Sequence, residues 1–110
     1  MSTDDADLRG RAAELVSLVS VQDGAVVSRT IVDAPGGTVT LFAFDDGQAL
    51  SEHTAPFDAL VVLLAGRMEI TLAGQGRELR AGEALLMPAD VPHALHAAAR
   101  SKMLLIMVRS

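Results

Sequence analysis

The chain has 110 residues, half of them hydrophobic and 21% charged, which fits one folded domain with a single core. It holds three Phe, no Tyr, no Trp and no Cys, so thiolate metal sites, disulfide frameworks, cysteine nucleophiles and aromatic cages are excluded. The formal charge is −5, with no dense Lys/Arg cluster, so the expected partners include neither nucleic acid nor membrane. Met1 to Asp7 carries three Asp and no apolar stretch, so it does not read as a secretory signal, and a soluble cytoplasmic protein is expected.

Residues 1–24 read as a lead-in and 25–110 as a barrel domain. In the lead-in, Leu8, Ala12, Leu15, Val16 and Val19 fall at helical spacing, and Ser2 or Thr3 could cap a helix whose first turn holds Asp4, Asp5 and Asp7. Gly10 weakens that helix, and an edge strand over Leu15 to Val21 is the alternative. After Asp23-Gly24 the texture is β-like. Ala25 to Val32 is rich in β-branched residues, and Pro35-Gly36-Gly37 turns the chain. Thr38 to Phe44 alternates, with Thr38, Thr40, Phe42 and Phe44 on one face and Val39, Leu41 and Ala43 on the other. Asp46-Gly47 is a turn signal. Ala59 to Leu64 is apolar on both faces. Arg67 to Leu72, Ala84 to Met87, Val91 to Ala97 and Met103 to Val108 follow, with a hairpin marked by Gly74 and Gly76. About eight to ten short strands predict an all-β sandwich or closed barrel.

The chemistry-bearing residues are few. His53, His93 and His96 are the only histidines, and no nucleophile elbow, phosphate loop or metalloprotease helix is present. Gly47 is followed after five residues by His53, and Gly66 closes that block. Gly82 is followed after five residues by Pro88, and after four more by His93. This spacing resembles the two motifs of the cupin superfamily, and strings such as Ser51 to Ala59 and Met87 to Leu95 are similar to one group of small single-domain cupins. The resemblance implies a small jelly-roll barrel, commonly dimeric, with His53 and His93 entering one pocket.

In a typical metal-binding cupin the first motif supplies two His and a Glu, and the second supplies a His. Here Ala55 stands at the second His position and Ala59 at the Glu position, while Asp90 replaces a Gly and Ala97 an Asn. Only His53 and His93 remain as metal ligands for iron, nickel, manganese or zinc, and such sites need three or four. Strand parity turns Asp58 away from Ala59 and His96 away from His93, whose face Leu95 and Ala97 share. The pocket candidates are therefore His53, His93, Ala55, Ala59 and Leu95, with a degenerate metal site.

The function expected first is binding of a small, partly apolar molecule in the barrel. The alternatives are a metal-dependent dioxygenase or isomerase using His53 and His93, and a non-catalytic oligomeric or sensory module. Arg29 is expected at the surface or a subunit contact, with an anionic ligand as the rarer use. The three Phe and Met68, Met87, Met103 and Met107 read first as core, with the Phe as an alternative pocket wall. Strands apolar on both faces need a second cover outside the barrel, so a homodimer is expected.

Overall fold

The computed structural model describes residues 8–109. Nine strands follow one 3-10 turn, Leu15–Ser17. They are β1 (Val26–Ala34), β2 (Gly37–Phe44), β3 (Ala49–His53), β4 (Asp58–Ala65), β5 (Arg67–Leu72), β6 (Gln75–Arg80), β7 (Ala84–Met87), β8 (His93–Ala97) and β9 (Ser101–Val108). All pairings are antiparallel. One sheet has the order β1-β2-β9-β4-β7 and the other β3-β8-β5-β6. The two sheets face each other as the all-β architecture requires.

Alternation decides what lies between them. From β4, Ala59, Val61 and Leu63 point inward and are buried; from β5, Met68 and Ile70; from β8, Leu95 and Ala97. Phe44 is fully buried there and Phe42 packs against the same cluster, their rings 6.0 Å apart. Full burial of side chains of this size contributes about 1.5–3 kcal/mol each.

Two strands escaped the sequence pattern. In β3 four of the five residues are exposed, and in β6 only Leu79 is buried, so neither presents an apolar run. β1 runs two residues past the expected Val32, to Ala34, and β8 starts at His93 because Pro92 cannot donate into a ladder.

The lead-in corrects the helical expectation. Among the described residues it contains no α-helix, only the 3-10 turn, and no strand over Leu15 to Val21. The proposed cap and its Asp residues lie outside the described residues. Gly10 sits at φ 71°, outside the helical region. Further on, side chains of the barrel take the carbonyls that a helix would use. Arg29 Nη1 donates to the Leu18 carbonyl at 2.7 Å, and Lys102 Nζ to that of Val16 at 2.5 Å. Val19 is buried against Leu41 and Ala43 on the outside of β2, with Leu15, Leu18 and Val21 beside it. The segment is an irregular strap over one end of the first sheet, and Arg29 is one of its fasteners.

Candidate functional site

An interior cavity of about 100 Å³ opens at one end of the barrel. Its walls are Leu50, His53, Ala55, Ala59, Met87, His93, Leu95, Met103, Leu105 and Met107. All five pocket candidates read from the sequence line it. The additional lining comes from alternate residues of β9, from Met87 of β7 and from Leu50. Parity along Met103 to Met107 could have placed that β9 row; Leu50 lies on the strand whose pattern was silent. A wider depression outside, bounded by Leu8, Arg9 and Ile31 to Ala34, holds none of the motif residues.

Two neighbouring loops build the mouth. The Asp90 N–H donates to the Ala55 carbonyl at 2.8 Å, joining the loop before β4 to the loop before β8. Asp90, at the position where the motif carries Gly, has φ 66°, a left-handed backbone that Gly adopts freely. Asp tolerates this region better than most residues. On the far side, the Ala89 N–H donates to Asp58 Oδ1 at 2.8 Å, which commits that carboxylate outside the cavity.

His53 ends β3 and His93 begins β8, and the two residues are paired directly across the ladder. Their Nε2 atoms are 3.0 Å apart, with the rings edge to face. His93 is 5% exposed, whereas His53 is exposed at the mouth. Each ring is held by its other nitrogen. His53 Nδ1 lies 2.8 Å from the Ser51 carbonyl, and His93 Nδ1 lies 3.2 Å from the Val91 carbonyl. A carbonyl only accepts, so both Nδ1 atoms carry hydrogen. Neutral rings in that tautomer present two bare Nε2 lone pairs to each other. One shared hydrogen relieves that conflict; two imidazolium ions at 3.0 Å would repel strongly.

Burial pushes His93 below its ordinary value of 6.5, and positive charge on His53 adds to the effect; the bond to Val91 opposes it. His53 is the only other titratable group in the cavity wall. Because the folded-state value is depressed, the unfolded chain binds this proton first as the pH falls. The stability contributed by neutral His93 is fully present above 6.5 and is lost as the pH drops from there through the folded-state value. Thermal melts should give a lower Tm at pH 5.0 than at pH 7.5, and His93→Gln should shrink that difference. An unchanged difference in the variant would assign the pH sensitivity elsewhere.

The donor set does not fit a resident transition metal. Three or four protein ligands are required, and the cavity supplies two imidazoles. His96 is on the outside, its Nδ1 3.0 Å from Glu69 Oε1. No cluster of three or more ligating side chains occurs among the described residues. The Phe residues do not line the cavity either: Phe57 lies beside the Arg109 guanidinium at 6.0 Å. Met87, Met103 and Met107 do, although they read first as core filler.

The cupin domain model matches residues 40–109, which hold both motif blocks and eight of the nine strands in whole or part. The chain belongs to the cupin family. Two solved structures are similar over nearly its whole length. One is a conserved protein of unknown function from Streptococcus pyogenes, 34% identical with TM-score 0.87, covering 91% of this chain and 88% of that one. The other is a cupin superfamily protein from Desulfitobacterium hafniense, 31% identical with TM-score 0.86, covering 91% and 92%. Among curated proteins, the polyketide synthase CurC of Streptomyces cyaneus is 35% identical over 63 residues, 56% of this chain and 41% of that protein. This cupin spans about half the length, or less, of the curated relatives it matches. No described helix is long and apolar enough to cross a membrane.

Proposed function

We propose that this cupin binds a small, partly apolar molecule in its barrel through a degenerate metal site in which two histidines do the polar recognition. The observation that carries this reading is the facing His53–His93 pair at the mouth of an otherwise apolar cavity. Both Nδ1 atoms are committed to backbone carbonyls, so the pair offers its Nε2 atoms to a ligand hydroxyl, enol or acid. Depression of the His93 value keeps that ring neutral near pH 7, the state in which it accepts a proton. Leu50, Leu95, Leu105 and the three Met then receive the ligand's apolar part, the Met side chains yielding in shape.

The volume limits the ligand. About 100 Å³ is well below the roughly 300 Å³ where ordinary ligand pockets begin, so the cavity takes a fragment while the rest sits outside near His53. A β-dicarbonyl has this chemistry: an apolar body, an enolic hydroxyl and an acidic carbon-bound proton. The polyketide synthase designation of CurC is consistent with such a ligand class.

Acetylacetone, compared with 2-pentanone, tests the reading by NMR titration. Acetylacetone should perturb the His53, His93 and Met methyl resonances. Its affinity should fall at least about tenfold in His53→Ala and in His93→Gln, the loss of one charge-neutral hydrogen bond to a ligand. Equal binding by both variants, or equal binding of 2-pentanone, would overturn it. Stoichiometric iron, nickel, manganese or zinc in untagged protein would overturn the metal-free form and favour the dioxygenase or isomerase alternative. The small cavity specifically favours one other reading, a non-catalytic module, for which no probe perturbs the cavity.

A further inference from the structure

The two sheets do not close on the side of β1. β1 and β3 are outermost in their sheets, and among the described residues no ladder joins β3 to β1 or β2. Along β2 the inner face starts apolar, with Phe44 and Phe42 in the core, and then turns polar with Thr40 and Thr38. Register ties this polar stretch to the cavity. Thr40 lies beside Leu105 and Thr38 beside Met107, and both partners line the cavity wall. On the other side, Thr30 of β1 lies beside Thr40, and Asp33 beside Thr38. Thr30 and Asp33 are exposed, so a hydroxyl-bearing shelf runs from the cavity wall out to solvent.

Thr30 and Thr40 act on this shelf as a unit. Their Oγ1 atoms lie 3.2 Å apart, so one hydroxyl donates to the other. The hydroxyl that accepts keeps its own hydrogen to donate, and both oxygens keep acceptor capacity. The pair therefore offers a donor and acceptors without charge. Branching at Cβ restricts both side chains to few rotamers, so little ordering is left for a ligand to impose. The charged residues bordering the shelf are opposite in sign: Asp33, and Arg109, whose Nη1 donates to the Ala34 carbonyl at 2.8 Å. The shelf thus has no net charge with which to select an ion.

We infer that Thr30 and Thr40 form an outer subsite for an uncharged hydroxyl or carbonyl oxygen, carried on the part of the ligand that the cavity of about 100 Å³ cannot hold. This rests on the function proposed for the cavity and gives the ligand a direction. Its apolar end lies inside, its enol or acid at the histidine pair, and a further neutral oxygen beyond. Neighbouring strands are about 4.8 Å apart, so the two hydroxyls lie roughly 5–10 Å across the sheet from Leu105. Cross-strand Thr pairs also stabilise a sheet by themselves. Discrimination between ligands separates the two roles, because a purely structural pair would produce none.

The probes 6-hydroxy-2,4-heptanedione and 2,4-heptanedione share a chain and a dicarbonyl and differ by one hydroxyl. In NMR titrations of the whole chain, the hydroxylated probe should bind about three- to tenfold more tightly, the worth of one neutral hydrogen bond. It alone should shift the Thr30 and Thr40 methyl signals. Thr30→Val and Thr40→Val keep the branched shape and remove the hydroxyl, and each should bring the two affinities together. Thr71→Val, on the outer face of β5 beside the inward-pointing Ile70, should leave the preference intact. Equal affinity of the wild type for the two probes overturns the inference. So does a preference that survives both variants of the pair, or one that Thr71→Val abolishes. Acetylacetone tells this failure from that of the proposed function: if it binds and the hydroxyl adds nothing, only the outer subsite is lost, whereas if none of the three probes binds, both are.

Discussion

Ala55→His combined with Ala59→Glu is expected to convert the histidine pair into a tight metal site. Both alanines already line the cavity with His53 and His93, so the two substitutions add donors to a wall that exists. Ala59 lies between Met87 and Met107 in the ladders and is 3% exposed. A glutamate there is buried without a partner until a cation arrives. The metal-free variant should therefore melt below the wild type, by about 2–4 kcal/mol of lost stability. Zinc or nickel should restore it, because a metal that binds the folded state alone stabilises by mass action. If four-ligand zinc sites bind with about 10–16 kcal/mol, two further ligands should strengthen binding by on the order of a thousandfold or more over the wild type. Calorimetric titration with zinc, alongside melts with and without the metal, checks this. A folded variant with wild-type affinity would mean that the wall cannot bring four donors to one point, and that Ala55 and Ala59 are not the missing ligand positions.

The legibility of this chain follows from where its information is carried. Gly and Pro spacing is carried by backbone requirements, and it located both motif blocks. Asp90 illustrates this: it holds φ at 66°, a conformation that suits the Gly of the motif, although its side chain differs. Strands buried on one or both faces, such as Asp58–Ala65 and Ser101–Val108, were legible because burial demands apolar residues. Ala49–His53 was not, since an edge strand with four exposed residues has no hydrophobic periodicity to display. The strap departs from its helical pattern for a related reason. Leu15, Val16 and Val19 match a helix repeat, but long-range bonds from Arg29 and Lys102 take the carbonyls of Leu18 and Val16. Tertiary partners outweigh propensity there. In the site, the two histidines could be assigned to one pocket from the motifs alone. Their 3.0 Å approach and shared tautomer could not, because those depend on the carbonyls of Ser51 and Val91.

Gly66→Ala should be strongly destabilising for a change of a single methyl group. Gly66 links β4 to β5, where the chain leaves one sheet for the other, and it holds φ at 87°. An added Cβ would lie 2.3 Å from the Arg100 carbonyl oxygen, 2.3 Å from Ser101 Oγ and 2.7 Å from Ser101 Cα. Two of those atoms are backbone, so a rotamer change cannot clear the contact. The third belongs to a side chain that is 1% exposed and fully engaged. Ser101 Oγ accepts from the Arg67 N–H at 3.1 Å and lies 2.8 Å from the Ala99 carbonyl and 3.1 Å from that of Arg67. Displacing it leaves buried polar groups unpaired, at about 1–3 kcal/mol, on top of about 1–2 kcal/mol for a side chain in the left-handed region. Backbone displacement adds to both, for a total of roughly 3–5 kcal/mol out of a typical 5–15. Gly74→Ala isolates the conformational part: φ there is 81°, yet nothing lies within 4 Å of the added Cβ. It should cost only about 1 kcal/mol. Urea titration of the two variants separates the effects, and a Gly66→Ala midpoint matching that of Gly74→Ala would show that the sheet-to-sheet crossing can absorb a side chain.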